Sequence, residues 1–442
     1  MTKSFCSILF FLILLNAAFP SFAQMQPWKI LPSPVNVTLR YLSFVDSLTG
    51  WAAGETGTII RTTDGSNSWD VQNSTVQTFI MDIFFIDKNL GWAITLKDAF
   101  PFNSVILKTT NGGDEWIAEN FPDTSKFIRT IFFFDSLNGF VGGSYIGYTS
   151  DGGTSWTSTE IDSNMVSNFP VYKFNFLNRQ FGYACGGRLD VAGVVWRTTN
   201  YGLNWTAQGV SADEVFDIFI LDSLNALTLS GDPEGLYPIA KLKTTDAGVT
   251  WNYDELPFFG LSFTIDFRTY NEGWSASGYK FLLTTNRGET WNEFETPDSS
   301  TIYDLQFTDA RTGYAVGENG VILKLDPTLV GIDKEIPSPA DFILYQNYPD
   351  PFNSSTKIRF QISDFGFVSL KVYDVLGNEV ATLINEEKSV GTCEVEFNTN
   401  LDHSGPVRNL SSGIYFYQLR VTGPETSSGH DKIQTKKMIY LK

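Results

Sequence analysis

Thr149-Ser150-Asp151-Gly152-Gly153-Thr154-Ser155-Trp156 is a short polar stretch, rich in turn formers, that ends on a tryptophan. The same eight-residue pattern runs from Thr62 to Trp69, Thr109 to Trp116, Thr198 to Trp205, Thr244 to Trp251 and Thr284 to Trp291. Its third residue is Asp64, Asn111, Asp151, Asn200, Asp246 or Asn286. Thr always stands two residues before it, and Trp always five after. Gly stands two after it in every copy but the first, which has Ser66. Asp and Asn fold a side-chain oxygen back onto backbone N–H groups, and Gly accepts a positive φ, so each octet reads as a hairpin turn. The Trp then buries a large ring on the following strand. A catalytic acid, base or metal ligand would need the charge, whereas a hydrogen-bond acceptor needs only the oxygen that Asn also supplies. Half of the copies carry Asn. The octets are therefore read as structural.

Each octet belongs to a longer unit. Between Ile80 and Glu119 the chain reads as four short strands, Ile80 to Asp87, Gly91 to Ile94, Val105 to Thr109 and Trp116 to Glu119. Four strands in about forty residues describe a propeller blade. A Gly-aromatic pair opens the second strand at Gly50-Trp51, Gly91-Trp92, Gly139-Phe140, Gly182-Tyr183, Gly273-Trp274 and Gly313-Tyr314, with a degraded copy at Asn225-Ala226. That makes seven, against six octet tryptophans. The last unit, Thr301 to Leu325, stops after its third strand, while Trp28-Lys29-Ile30 stands alone ahead of the first. Pairing these two segments would close a ring of seven and leave no unpaired edge. The expected fold is all-β: a seven-bladed β-propeller over 24–336, a linker at 337–341, and a small C-terminal immunoglobulin-like β-sandwich over 342–442. The octets resemble the Asp-box of BNR repeats. The units from residue 28 to 325 resemble photosystem II assembly and stability factor-like repeats. Both resemblances speak to architecture, since fold does not settle function.

The chain has 442 residues and a formal net charge of −18. Such acidity argues against nucleic acid and against anionic membrane surfaces. Lys3 followed by the apolar run Ile8 to Leu15 reads as a signal peptide over 1–23, with cleavage after Ala23. No later run is long and apolar enough to be a transmembrane segment. Cys185 and Cys393 remain after cleavage and read as buried small hydrophobes outside any disulfide framework.

Past Pro337-Ser338-Pro339 come Ile343 to Asn353, Val372 to Gly377, Leu410 to Tyr417 and Lys436 to Lys442. These are strands and Gly turns of a small sandwich. Together they resemble the C-terminal sorting domain of the type IX secretion system. The resemblance implies a Sec signal, passage across the outer membrane, and type IX machinery as a partner. In that family the domain is often cleaved as cargo is released or attached to surface lipopolysaccharide. Residues 24–339 hold 20 Lys/Arg and 37 Asp/Glu, against 10 and 12 in 340–442, so the acidity belongs to the propeller.

Absences narrow the chemistry. Both histidines, His403 and His430, lie in the C-terminal module. That excludes a Ser-His-Asp triad, a Cys-His dyad and His-ligated zinc from the propeller. There is no phosphate-binding Gly-rich loop. The reading names no catalytic residue, metal or cofactor. Carboxylate chemistry remains, because Asp-box propellers include sialidases and xyloglucanases. Phe127-Ile128-Arg129-Thr130 only approaches the sialidase Phe-Arg-Ile-Pro string. Arg40, Arg129, Arg188 and Arg268 could supply a triad in principle.

Ligands of propellers gather on the face that carries the second-to-third strand connections. Three of these connections read as long, Leu96 to Ser104, Gly186 to Gly193 and Ser230 to Pro238. They offer Lys97, Asp98, Phe100 and Phe102; Arg188 and Asp190; and Asp232, Glu234 and Tyr237 as ligand-binding residues. Asp82, Lys173, Asp217 and Asp304 occupy matching positions near the start of innermost strands and are candidates for the channel mouth. The sequence thus reads as a secreted or surface-displayed propeller that binds a protein or glycan. The alternative is a sialidase-like or xyloglucanase-like glycoside hydrolase using carboxylates on the loop face.

Overall fold

The computed structural model describes residues 27–97, 103–162, 165–326, 342–362, 366–388, 391–399, 410–422 and 432–441. The proposed signal peptide, the linker and both histidines lie outside the described residues, as do Asp98, Phe100 and Phe102. The protein is all-β, with no α-helix among the described residues and two single 3-10 turns, Glu55–Gly57 and Glu318–Gly320. No described helix is long and apolar enough to cross a membrane.

Up to Leu325 the chain forms seven antiparallel sheets. The first runs from the inside outward as Leu39–Phe44, Gly50–Gly54, Ile59–Thr62 and Asp70–Gln72. The last joins Ile302–Phe307, Gly313–Gly317 and Ile322–Leu325 to Trp28–Leu31. Trp28 lies opposite Leu325, and Ile30 opposite Leu323, so the chain's two distant ends share one sheet. Innermost strands pack side by side around a circle, with Ile302–Phe307 against Leu39–Phe44. One sheet gains a fifth strand, Glu160–Ile161, laid parallel to Asn204–Ser211.

Aromatic stacking between sheets explains the Gly-aromatic pairs. Trp51 stacks on Phe85 of the next sheet at 3.4 Å between centroids, Trp92 on Phe133 at 3.7 Å, and Tyr314 on Phe44 at 4.0 Å. An octet tryptophan meets the same Phe edge-on, as Trp116 meets Phe85 at 5.7 Å and 86°. Each of these Phe rings also lies flat on the Gly of its own sheet. A Cβ at Gly50 or Gly91 would collide with Phe44 or Phe85. The degraded copy expected at Asn225-Ala226 stands one residue later: Ala226 takes the Gly place opposite Ile220, where its methyl is accommodated, and Leu227 takes the aromatic place.

The octets form one hydrogen-bond pattern. Thr149 Oγ1 donates to Asp151 Oδ1 at 2.8 Å and accepts from the Gly153 N–H at 3.0 Å. Asp151 Oδ1 in turn accepts from the Ser155 N–H at 2.9 Å. The Asn copies do the same, as at Thr198, Asn200 and Asn204. The residue just after the Asp or Asn also has positive φ, including Tyr201, Ala247 and Arg287, a demand that the lone Gly position did not announce.

One expectation is corrected. Closure joins the sheets into a ring, yet each innermost strand still turns an unpaired edge to the channel. Side chains of the neighbouring sheet satisfy it, which backbone groups away from bulk water require. Asp304 accepts from the Leu42 N–H at 2.8 Å, Gln306 from Phe44 at 2.7 Å, Ser43 from Phe85 at 2.9 Å and Asp82 from Ile131 at 3.0 Å.

Beyond residue 341, Phe342–Leu344, Ser355–Ile362 and Gly391–Asn398 form one sheet. Glu379–Lys388, Gly366–Tyr373, Gly413–Thr422 and Lys432–Tyr440 form another, and the two share a core of residues such as Ile358, Leu370 and Leu419. The sequence motifs clasp one another. The Asn347 N–H donates to Tyr417 Oη at 2.9 Å, Asp350 Oδ1 accepts from the Ile439 N–H at 2.8 Å, and Phe352 packs on Tyr440. Cys185 is fully buried, whereas Cys393 is only partly so, and both are free thiols.

Candidate functional site

Every innermost strand carries an irregularity in register near its start, between Leu39 and Tyr41, Ile80 and Asp82, Ile128 and Thr130, Val171 and Lys173, Val215 and Ile218, Ser262 and Thr264, and Ile302 and Asp304. A bulge bends a strand and re-aims the side chain within it. Here it turns out the second residue of each strand. These residues are Arg40, Met81, Arg129, Tyr172, Phe216, Phe263 and Tyr303, all half-buried.

All seven line a cavity of about 430 Å³ on the channel axis. Successive rings touch around its wall. Tyr172 stacks on Phe216 at 5.6 Å, Phe216 meets Phe263 at 5.7 Å, and Phe263 meets Tyr303 at 5.0 Å. The Arg40 guanidinium lies 3.9 Å over Tyr303, and that of Arg129 lies 4.2 Å over Tyr172. Glu55, on the second-to-third connection of the first sheet, also lines the cavity, so it opens on the loop face.

The four residues predicted for the channel mouth lie one layer deeper. Lys173, Asp217 and Asp304 line the cavity with Tyr41, while Asp82 is buried beside them. The aspartates bind backbone. Asp217 Oδ1 accepts from the Ile218 N–H at 2.8 Å, and its Oδ2 from the Ile265 N–H at 3.1 Å. Burial pushes the Asp217 carboxyl up to about 6, helped by Asp304 and opposed by Lys173. It raises Asp82 and Asp304 as well. Two residues further down, burial pushes Asp266 up to about 7. Burial alone would lower the Lys173 ammonium, but Asp304, Asp82 and Asp217 outweigh it and raise its pKa. Burial first, with Asp82 adding to it, pushes the Tyr41 hydroxyl up to about 12.

The predicted loop residues that are described do not join this site. None of Lys97, Arg188, Asp190, Asp232, Glu234 or Tyr237 lines the cavity. Gly186 to Gly193 is no long loop. Gly182–Arg188 and Ala192–Thr198 pair to Arg188 opposite Ala192, leaving a tight turn with Asp190 at φ 56°. The Asp190 N–H is held by Asp213 at 3.0 Å. Asp232 folds its own loop by accepting from the N–H groups of Glu234, Leu236 and Tyr237, leaving Glu234 and Tyr237 exposed at the tip. Of the four arginines considered for a triad, Arg40 and Arg129 reach the mouth. Arg188 sits on the hairpin, and Arg268 is buried against Glu272 and the Ala310 carbonyl. Among the described residues, no group of three or more His, Cys, Asp or Glu could hold a metal ion.

Residues 346–430 match the secretion system C-terminal sorting domain. No curated protein sequence matches the chain. In fold, the protein is similar to YCF48 from Cyanidioschyzon merolae, with TM-score 0.54 and 19% identity over 68% of this chain and 99% of that one. A YCF48 structure bound to a D1 peptide has the same TM-score and identity, over 68% and 97%. The GH74 enzyme of Niastella koreensis is similar at TM-score 0.52 and 14% identity, over 76% of this chain and 59% of that one. At such identities the likeness is one of fold alone. The chain is a β-propeller followed by a region that matches a secretion system C-terminal sorting domain, a match that implies secretion by the type IX system to the cell surface or beyond.

Proposed function

We propose that the propeller is an extracellular binding module that receives a protein or glycan at its channel mouth and does not turn it over. On this reading export begins with cleavage after Ala23, and residues 24–336 are cargo for the sorting domain at 342–442. The observation that carries the reading is the ring of seven outward-turned side chains around the 430 Å³ cavity. A concave, aromatic-lined site with a few charged groups is the form that ligand pockets take. YCF48, which shares the fold, is known bound to a peptide. Hydrolysis has less support. Of the carboxylates that line the cavity, Asp217 and Asp304 are engaged by backbone N–H groups, which leaves Glu55 without a second for two-carboxylate chemistry. Glu214, whose carboxyl burial raises, has its Oε2 sealed from solvent and does not line the cavity.

The test uses the full mature chain on peptide and glycan arrays, with Phe216→Ala and Tyr172→Ala at the mouth. Leu137→Ser, on an exposed strand-one-to-two turn, serves as control. Ligands held by the natural chain should weaken by about tenfold or more in the mouth variants and be retained by the control, as for a central anchor residue. Binding indifferent to both mouth variants, or turnover of a glycan, would overturn the reading.

A further inference from the structure

The cations and carboxylates around the cavity differ in what they already hold. Asp304 Oδ2 accepts from the Leu42 N–H at 2.8 Å, and its Oδ1 from the Thr264 hydroxyl at 3.0 Å. Asp217 is engaged by Ile218 and Ile265. In contrast, Arg40, Arg129 and Lys173 take part in none of the ion pairs among the described residues. Lys173 has carboxylates nearby but none within ion-pair distance, and it lines the cavity. An ammonium carries three donors and no acceptor, so a partner for it must accept hydrogen bonds. In a chain of formal charge −18, three cations gathered at one opening with none of them in an ion pair are a conspicuous departure, even with Glu55 on the same wall.

The aromatic wall narrows the class of ligand. Sugars stack on free ring faces. Here a face of Tyr303 is covered by Arg40 and a face of Tyr172 by Arg129, while Phe216 is flanked by Tyr172 and Phe263. What the wall offers is ring edges and guanidinium forks. Edges suit apolar side chains, and forks suit carboxylates. We propose that the mouth recognises an acidic peptide segment, with one carboxylate seated on Lys173 and held at the lip by Arg40 and Arg129. This rests on the binding reading above and names its ligand class. Asp82, Asp217, Asp304 and Glu55 keep the site's net field weak, so recognition depends on directional donors and on the loss of water from them.

The test measures fluorescence anisotropy on the full mature chain with a labelled hexapeptide carrying Asp and Glu beside Phe. Its Asn/Gln counterpart and a tetragalacturonate are the comparisons. The acidic peptide should bind at least about tenfold tighter than the amide form, and the preference should shrink between about 0.05 M and about 0.5 M salt. Lys173→Met should remove the preference while leaving the weak binding of the amide peptide. Arg40→Gln combined with Arg129→Gln, both half-buried, should do the same if Lys173→Met does not fold. Equal binding of the two peptides overturns the proposal, as does binding of tetragalacturonate alone. If equal binding is still lost in Phe216→Ala, the mouth remains the binding site and only the acidic preference has failed.

Discussion

The two ends of the same seven sheets follow opposite plans. At the octet end, six turns repeat one residue pattern and one set of hydrogen bonds. At the mouth, one position recurs in every sheet but is filled by Arg, Met, Tyr or Phe. What every sheet needs in order to fold is repeated. What a sheet can change without cost to folding is free to vary, and there a ligand can be read. Aspartate shows the same divide. Hydrogen bonds from Ser155 hold the Asp151 carboxyl down at about 2, and those from Thr250 do the same for Asp246. Burial pushes Asp217 and Asp266 up to about 6 and about 7.

Truncation should separate the two ends most clearly. Trp205 is 1% exposed, with its indole N–H on the Gly202 carbonyl at 2.9 Å. Trp205→Ala should cost about 3–5 kcal/mol in denaturant unfolding while leaving ligand affinity unchanged in the fraction that folds. A smaller loss would mean that the octet tryptophans are not the anchors of their sheets.

The carboxylates give a second contrast. Asp217 and Asp266 have pKa values raised by folding. Their contribution to stability is therefore complete below the unfolded carboxylate value, about 4, and is lost as pH rises through about 6 to 7. Lys173 opposes the shift at Asp217, while Asp217 and Asp304 add to that at Asp266. Tm should fall between pH 5 and pH 8 (about 5 and about 8 bracket both transitions), and Asp266→Asn should flatten part of that fall. A Tm that is level over this range in the natural chain would contradict the buried-carboxylate account. At the mouth itself, Phe216→Ala removes only a half-buried ring. It should cost about 1 kcal/mol of stability, far less than Trp205→Ala, while carrying the binding loss described above.

Much of the scaffold was legible because its demands repeat. Six octets against seven Gly-aromatic pairs located the partner of Trp28 from residue types alone. The mouth was half legible. Asp82, Lys173, Asp217 and Asp304 stood out as polar residues at matching positions. Their neighbours one residue earlier did not, because strict alternation would send Tyr172 to the same buried face as Phe174. The bulge breaks that alternation, and it is set by backbone pairing rather than by any one residue type. The loop candidates misled for a related reason. Charge and length suggested an open site, whereas Asp232 shapes its own turn and Asp190 sits in a tight hairpin with its N–H on Asp213.

The smallest predicted effect bears on whether the octets carry chemistry. Asp151 Oδ2 accepts from the Ser155 hydroxyl at 2.5 Å. At the corresponding place, Asn286 Nδ2 instead donates to the Thr290 hydroxyl at 2.9 Å. A hydroxyl can serve as donor or acceptor, so the turn tolerates either side chain. Asp151→Asn should leave Tm unchanged at neutral pH in scanning calorimetry, whereas Asp151→Ala, which removes the Oδ1 acceptor, should lower it. The two should part again in acid. The Asp151 carboxyl is depressed by folding, so its contribution is present above the unfolded value and is lost as pH falls through about 2. Asp151→Asn carries no such term and should lose less stability than the natural chain on acidification. If Asp151→Asn lowered Tm at neutral pH as much as Asp151→Ala does, the charge itself would matter, and the octet end could no longer be set apart from the mouth as scaffold alone.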